Sequence, residues 1–455
     1  MNTITSPRPR DLVRGTAGAP AARASSPSSY VLPPISAGQQ ALARGWLWLA
    51  VASLVGSGLF SVLLVLARTP GINAWLPAGD FFRVALVVHV DLSVLVWFVA
   101  VAGLLWSGNR ARTRGLPEWL WSRAPLLACA AGAAGMALSA FVDPGVPVMA
   151  NYIPMLDSPM FRLSLAVFGA GSTLLVAGCL LNPVRIGPEV DGRGALRFGL
   201  NASVVAAAVA LLAFGWSLAV TPAELPAKAY YEILWWGGGH ALQFTWTLLM
   251  LVGWLVLAQA SGATVPLSPR VVLLMFAIAL ASVFVTPLAY LMHDVATVEH
   301  RDLHTWAMRF GGGAAIAPLA LAVLLALLPR RALQPVQRPL RAALLASMLL
   351  FAAGGVIGFT ISGSNVKVPA HYHGCIVGVT LALMGLVYHL LPRLGHGAPQ
   401  GRLAVAQPWL YGVGQLLHIV GLVWSGGYGV QRKVAGSEQV LRSTGEVAGM
   451  GLMGL

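Results

Sequence analysis

Ten histidines stand in a 455-residue chain that is otherwise poor in polar chemistry, and their placement is its most informative feature. His89, His240, His293, His300, His304, His371 and His373 lie in or beside one end of long apolar runs. His389 and His396 lie at the opposite end of such runs, and His418 near the middle of one. One imidazole in an apolar helix is commonly a satisfied polar group of a bundle. Seven at one depth, on five or six segments, form a set. An ionisable side chain inside a membrane span is costly and marks a functional site by default. Neutral imidazole is the commonest metal ligand and binds heme iron axially. Ligands from facing helices meet around a cofactor in a bundle core. Cys129, Cys179 and Cys375 form no CxxC or CxxxC spacing, which argues against a disulfide framework or a thiolate metal site. These residue types point to heme together with a histidine-bound metal.

Ala370-His371-Tyr372-His373-Gly374 is the sharpest local pattern. Positions i and i+2 of an α-helix point roughly 200° apart. One helix can then offer an imidazole to each of two hemes, whereas a single metal prefers ligands at i, i+3 or i, i+4. Gly374 leaves room beside the helix for a flat macrocycle. The alternative is two histidines at a wet helix end.

The elements that must carry these residues are membrane helices. The chain is 57% hydrophobic and 10% charged, with a mean hydropathy of +0.75. A soluble domain holds about 25% charged residues, so an ordinary cytosolic enzyme and a disordered or fibrous chain are excluded. A bilayer span needs about 20 mainly apolar residues. Eleven runs qualify, near 45–67, 84–107, 124–142, 162–182, 198–220, 234–260, 271–293, 305–328, 342–362, 370–392 and 408–426. A twelfth begins near 446 and is too short to cross before Leu455. The formal charge of +14 reads as membrane topology and not as nucleic-acid binding. With the N-terminus cytoplasmic, most Lys and Arg fall in inner loops and most acids in outer ones, as the positive-inside rule requires. The fold class is therefore all-α, a polytopic transmembrane bundle of about 12 helices with its N-terminus cytoplasmic. Residues 1–43, rich in Ser, Pro, Ala and Arg, read as a disordered basic cytoplasmic tail, or as a transit peptide of the same composition. Residues 44–455 read as one membrane domain with no repeat at a fixed short period.

The histidine pattern resembles the catalytic subunit of the heme–copper oxidase superfamily, subunit I of cytochrome c oxidase and the large subunit of nitric oxide reductase. The resemblance covers about 45–455. VPAHYHGCIVGVTLALMGLVYHLLPRLG is similar to that family's tenth helix. Carried over, His371 holds a high-spin heme and His373 a low-spin heme. VVHVDLSVLVWF matches the second helix, making His89 the second low-spin ligand. WWGGGHALQFTW matches the sixth, giving His240 the non-heme copper (or iron). GYGVQRKVAG matches a loop whose basic pair, here Arg432 and Lys433, neighbours the heme propionates. The resemblance implies two hemes, a non-heme metal, small accessory subunits and an outer-side cytochrome or copper-protein electron donor. It also implies residence in a bacterial inner membrane and reduction of dioxygen to water. Nitric oxide reduction to nitrous oxide is the alternative within the family, and a non-catalytic heme electron carrier or gas sensor the alternative outside it.

Three departures from the family pattern stand out. Its two adjacent seventh-helix histidines are missing; PLAYLMHDVATVEH offers His293, with His300 or His304 as further candidates. Two histidines alone rarely hold copper or iron. The position one turn after His240 holds Phe244 rather than a tyrosine or glutamate, leaving Tyr290, one turn before His293, as the candidate tyrosine. No Asp, Glu or Lys falls in the inner half of any span, so no proton path from the cytoplasm is defined.

Overall fold

In the computed structural model, residues 29–67, 81–111, 118–187, 190–328, 332–361, 366–427 and 443–454 are described. They form a bundle of long helices. Among them ten are long and apolar enough to cross a membrane: α1 (Ala37–Ala67), α2 (Phe81–Gly108), α3 (Glu118–Val142), α4 (Pro159–Leu181), α5 (Gly192–Val220), α6 (Ala227–Ala260), α7 (Pro269–Met292), α8 (Val298–Leu327), α9 (Arg338–Phe359) and α10 (Lys367–Leu390). The eleventh expected span lies within α11 (Arg402–Gly427), which is long enough but less apolar, since it carries Gln407, Gln415 and His418. The short last run is α12 (Thr444–Gly454). The bundle is thus an integral, multi-pass membrane architecture.

Two features depart from the sequence reading. The tail expected over 1–43 falls outside the described residues only as far as residue 28. From Ser29 the chain is packed: the Tyr30 ring is buried and its hydroxyl donates to the Leu267 carbonyl at 2.7 Å, while Arg393 donates to the Leu32 carbonyl at 3.1 Å. Tyr30, Val31 and Leu32 are the first apolar residues after the Ser/Pro/Arg run, and Tyr30 and Leu32 are buried in the core, so packing begins upstream of residue 44. The second is a small antiparallel hairpin between α3 and α4, in an otherwise helical chain. β1 (Val146–Val148) pairs with β2 (Met155–Asp157) in the register Val146↔Asp157, Pro147↔Leu156 and Val148↔Met155.

A helix apolar on every side belongs at the centre of a bundle or in lipid. The centre here is α2, α6 and α10, which bury 67%, 89% and 67% of their most apolar stretch against 28–44% for the other seven spans. These three helices carry His89, His240, His371 and His373. Peripheral helices turn Trp48, Leu59, Leu163, Leu212 and Leu321 outward, as a lipid-facing belt requires.

Candidate functional site

Besides His300, whose Nδ1 lies 3.3 Å from the Ala289 carbonyl, five imidazoles share one hydrogen-bonding pattern. His89 Nδ1 lies 3.0 Å from the Ser57 carbonyl of α1, with the Ser57 and Ser61 hydroxyls also at 3.0 Å. His240 Nδ1 lies 2.8 Å from the Trp236 carbonyl, and His304 Nδ1 2.8 Å from the His300 carbonyl. His371 Nδ1 lies 2.7 Å from the Gly354 carbonyl, and His373 Nδ1 2.8 Å from the Pro369 carbonyl. A carbonyl only accepts, so each Nδ1 carries the proton and donates it. Each Nε2 is then the nitrogen with the lone pair, the tautomer a metal ligand needs, although His240 Nε2 also lies 3.0 Å from the Tyr152 hydroxyl. In three of the five the acceptor is the residue four positions earlier in the same helix.

His89, His240, His371, His373 and His418 line one cavity of about 2170 Å³. A site for one small molecule spans roughly 300–1,000 Å³, so this space admits two large flat macrocycles. His373 stacks on Tyr372, with ring centres 5.1 Å apart, and lies 5.0 Å from the His418 ring. The residues present therefore fit two hemes in donor type, tautomer and space.

Gly374 does not face a macrocycle. A Cβ there would lie 2.7 Å from the Cα of Gly354, so the missing side chain admits the backbone of α9. Small residues at a membrane helix crossing serve that purpose. The same crossing brings the Gly354 carbonyl to His371.

Of the three histidines that the sequence offers as companions to His240, the structure brings His304 against it. His293 ends α7 half-buried in an extended conformation, and among the described residues its ring is not one of those against His240. His304 takes that place, with ring centres 5.7 Å apart and its Nε2 buried without a hydrogen-bond partner. His304 also stacks against His300 at 4.6 Å. The His300 ring is committed elsewhere, to the backbone of Ala289 (3.3 Å) and His293. The turn of chain after α7 explains this: α8 starts at Val298, so His300 and His304, at i and i+4, share one face turned back toward α6. Among the described residues no three His, Cys, Asp or Glu side chains already converge as a metal site.

Tyr290 is likewise redirected. Its hydroxyl donates to the Ala213 carbonyl at 3.1 Å and pairs with Ser217 at 2.6 Å, while its ring edge meets His300. The phenol at His240 belongs instead to Tyr152, with its oxygen 2.8 Å from Nδ1 and 3.0 Å from Nε2. Sequence reasoning passed over this residue because it lies in a loop, at the tip of the β1–β2 hairpin. Tyr152 also hydrogen-bonds Gln243, and its ring fills the space that a side chain at Gly239 would occupy. Its φ of +66° is the only positive value at a non-glycine among the described residues. A bulky residue rarely adopts that conformation, at a cost of about 1–3 kcal/mol. Asn151 holds it there, donating from its backbone N–H (3.2 Å) and Nδ2 (2.7 Å) to the Glu232 carboxylate on α6. Burial and then the Glu232 charge push the Tyr152 phenol well above its ordinary pKa, so it is a neutral hydroxyl.

Asp91, two residues after His89, is buried with both carboxyl oxygens unpartnered and does not line the cavity. It opens a π-helical turn, Asp91–Val96, within α2. Such turns favour functional sites. Arg432 and Lys433 lie outside the described residues.

Residues 41–453 match the family model described as cytochrome c and quinol oxidase polypeptide I. An uncharacterized protein of Rickettsia prowazekii is 28% identical over 481 residues, covering 91% of this chain and 92% of its own. An uncharacterized protein of Aquifex aeolicus is 27% identical over 363 residues, covering 78% and 86%. Cytochrome c oxidase subunit 1 of Thermus thermophilus is 38% identical over 91 residues, 18% of this chain and 16% of that one.

Proposed function

The chain belongs to the cytochrome c and quinol oxidase polypeptide I family, and on that premise we propose that it is the catalytic subunit of a respiratory membrane oxidoreductase that reduces dioxygen to water. The observation that carries the reading is the set of Nδ1-locked imidazoles around a cavity large enough for two hemes.

His89 and His373 hold the low-spin heme, His371 the high-spin heme, and His240 with His304 a non-heme copper or iron. When bound, these groups supply one-electron transfer and a place for a diatomic gas. With His89 and His373 both as its ligands, the low-spin heme would serve electron transfer and not gas binding. His371 would be the one protein ligand of the second heme, in the cavity that His240 also lines. The backbone acceptors fix each ring's orientation, so it need not be ordered when ligand binds. Arg432 and Lys433, outside the described residues, would pair with the heme propionates. The positive-inside charge distribution supports a cytoplasmic N-terminus, and we read this site as lying toward the outer face of a bacterial inner membrane. There an outer-side cytochrome or copper protein delivers electrons, assisted by small accessory subunits.

Nitric oxide reduction is the second reading, favoured by one observation. The inner halves of the spans carry no Asp, Glu or Lys, while Glu232, Asn151 and Tyr152 form a polar chain reaching His240 through the α3–α4 hairpin. That arrangement suits proton supply from the outer face. Uptake of oxygen against nitric oxide by the purified protein, run beside metal analysis, decides. Oxygen consumption with copper supports the first reading, and nitric oxide consumption with iron the second. Two hemes with no gas turnover leave a heme electron carrier or gas sensor and overturn both.

A further inference from the structure

We propose that Arg301 and Arg309 of α8 anchor the heme held by His371, their guanidinium groups pairing with its propionate carboxylates. The inference rests on the reading that hemes fill the cavity. Each heme carries a pair of propionates, so Arg432 and Lys433 alone do not neutralise those of two hemes.

Both arginines line that cavity, with Thr305 between them. At spacings of four residues the three share one face of α8. A charged side chain in a membrane span is tolerated where it faces a cavity and finds a counter-charge, and Arg309 lies inside the span Val298–Leu327. Among the described residues no Asp or Glu pairs with either guanidinium; the ion pairs there join Arg110 to Glu118 and Arg162 to Asp157. The missing counter-charges are those that an occupant with carboxylates brings. Position favours the heme of His371. The Arg301 guanidinium stacks over the Trp236 ring at 4.6 Å, and that ring lies 4.6 Å from the His240 ring. The Arg309 guanidinium lies 5.7 Å from the centre of the Phe359 ring. Phe359 follows Gly358, whose missing side chain makes room for the His371 ring. One cation therefore stands at the His240 wall of the cavity and the other at the His371 wall. Stacking orients a planar guanidinium and leaves its N–H fork for bidentate carboxylate contacts. Arg309 also lies in a π-helical turn, Ala307–Gly311, and such turns favour functional sites. A Cβ at Gly313, on the same cavity face, would meet nothing within 4 Å, so α8 leaves open space beside its arginines.

The test uses the full chain, purified in detergent with its hemes. It reads the infrared bands of heme labelled at its carboxyl carbons and the midpoint potential of the heme that binds carbon monoxide. Removing a cation beside an iron porphyrin favours the oxidised form. Arg301→Gln and Arg309→Gln are each expected to shift those bands and lower that potential, with the potential of the low-spin heme unchanged. Arg309→Lys, which keeps the charge but not the fork, is expected to restore the potential and not the bands. Unchanged bands and potential in one glutamine variant remove that arginine from the site, and in both they overturn this inference alone. Changes that appear only when anionic lipid is added assign the arginines to a lipid headgroup and also overturn it. A wild-type protein that binds no heme overturns the heme reading as well. If Arg309→Gln loses its heme, magnetic resonance of wild type and Arg309→Lys decides, with arginine guanidinium groups and heme carboxyls both labelled. A guanidinium–carboxyl coupling present in wild type and lost in Arg309→Lys supports the pairing, and an unchanged set of couplings overturns it.

Discussion

The carbonyl of Gly354 accepts a hydrogen bond from His371 Nδ1 at 2.7 Å, across the crossing of α9 and α10. One turn along, Gly358 leaves space for the same ring, since a Cβ there would fall 2.7 Å from Nδ1. The ring cannot yield without breaking its bond to Gly354. Gly358→Ala is therefore expected to displace His371 and lower high-spin heme occupancy several-fold while low-spin heme persists. Carbon monoxide difference spectra measure this, because only a five-coordinate iron binds the gas. Full carbon monoxide binding by the variant contradicts the seat described for His371.

His373 and His418 lie 5.0 Å apart on different helices, and both face the cavity. His373 is locked through Nδ1 to a carbonyl of its own helix, at Pro369. His373→Ala is expected to abolish six-coordinate heme absorbance, and His418→Ala to retain most of it. The reverse outcome transfers the ligand role to α11.

Much of this was legible in the sequence because apolar run length and histidine depth are local signals. The expected spans coincide with the observed helices apart from their ends, and His89, His240, His371 and His373 lie on the three most buried ones. What escaped depends on how chain turns fold back. Nothing local to Tyr152 says that a hairpin carries it to α6, or that Asn151 finds Glu232, 81 positions away. Gly374 was misread because a glycine beside a ligand leaves the same gap for a cofactor or for a neighbouring backbone, and only the position of Gly354 distinguishes them. His293 and His304 could not be ranked from spacing alone, since the turn between α7 and α8 decides which ring reaches α6.

Tyr290 resembles a redox tyrosine by position, but its hydroxyl is committed to Ser217 and Ala213. Tyr290→Phe is expected to leave gas turnover within about twofold of wild type. Its cost is in stability, roughly 0.5–1.5 kcal/mol for the lost hydrogen bond, seen as a lower midpoint of thermal unfolding. Abolished turnover with intact hemes returns Tyr290 to the reaction.

The Glu232 carboxylate accepts both donors of Asn151 and so fixes the hairpin that carries Tyr152. Hydrogen bonds to a charged group contribute about 1.5–3 kcal/mol, comparable with the cost of the Tyr152 backbone conformation. With the latch gone, the strained conformation is no longer offset and the hairpin samples others. Glu232→Ala is expected to speed amide exchange across residues 146–157 by roughly 10-fold or more, as about 1.5 kcal/mol of lost protection implies. Exchange in the α6 segment around His240 should change little, because Leu248 to Leu251 are fully buried and do not depend on the loop. Unchanged exchange in the hairpin shows that β1–β2 pairing alone holds Tyr152 against His240.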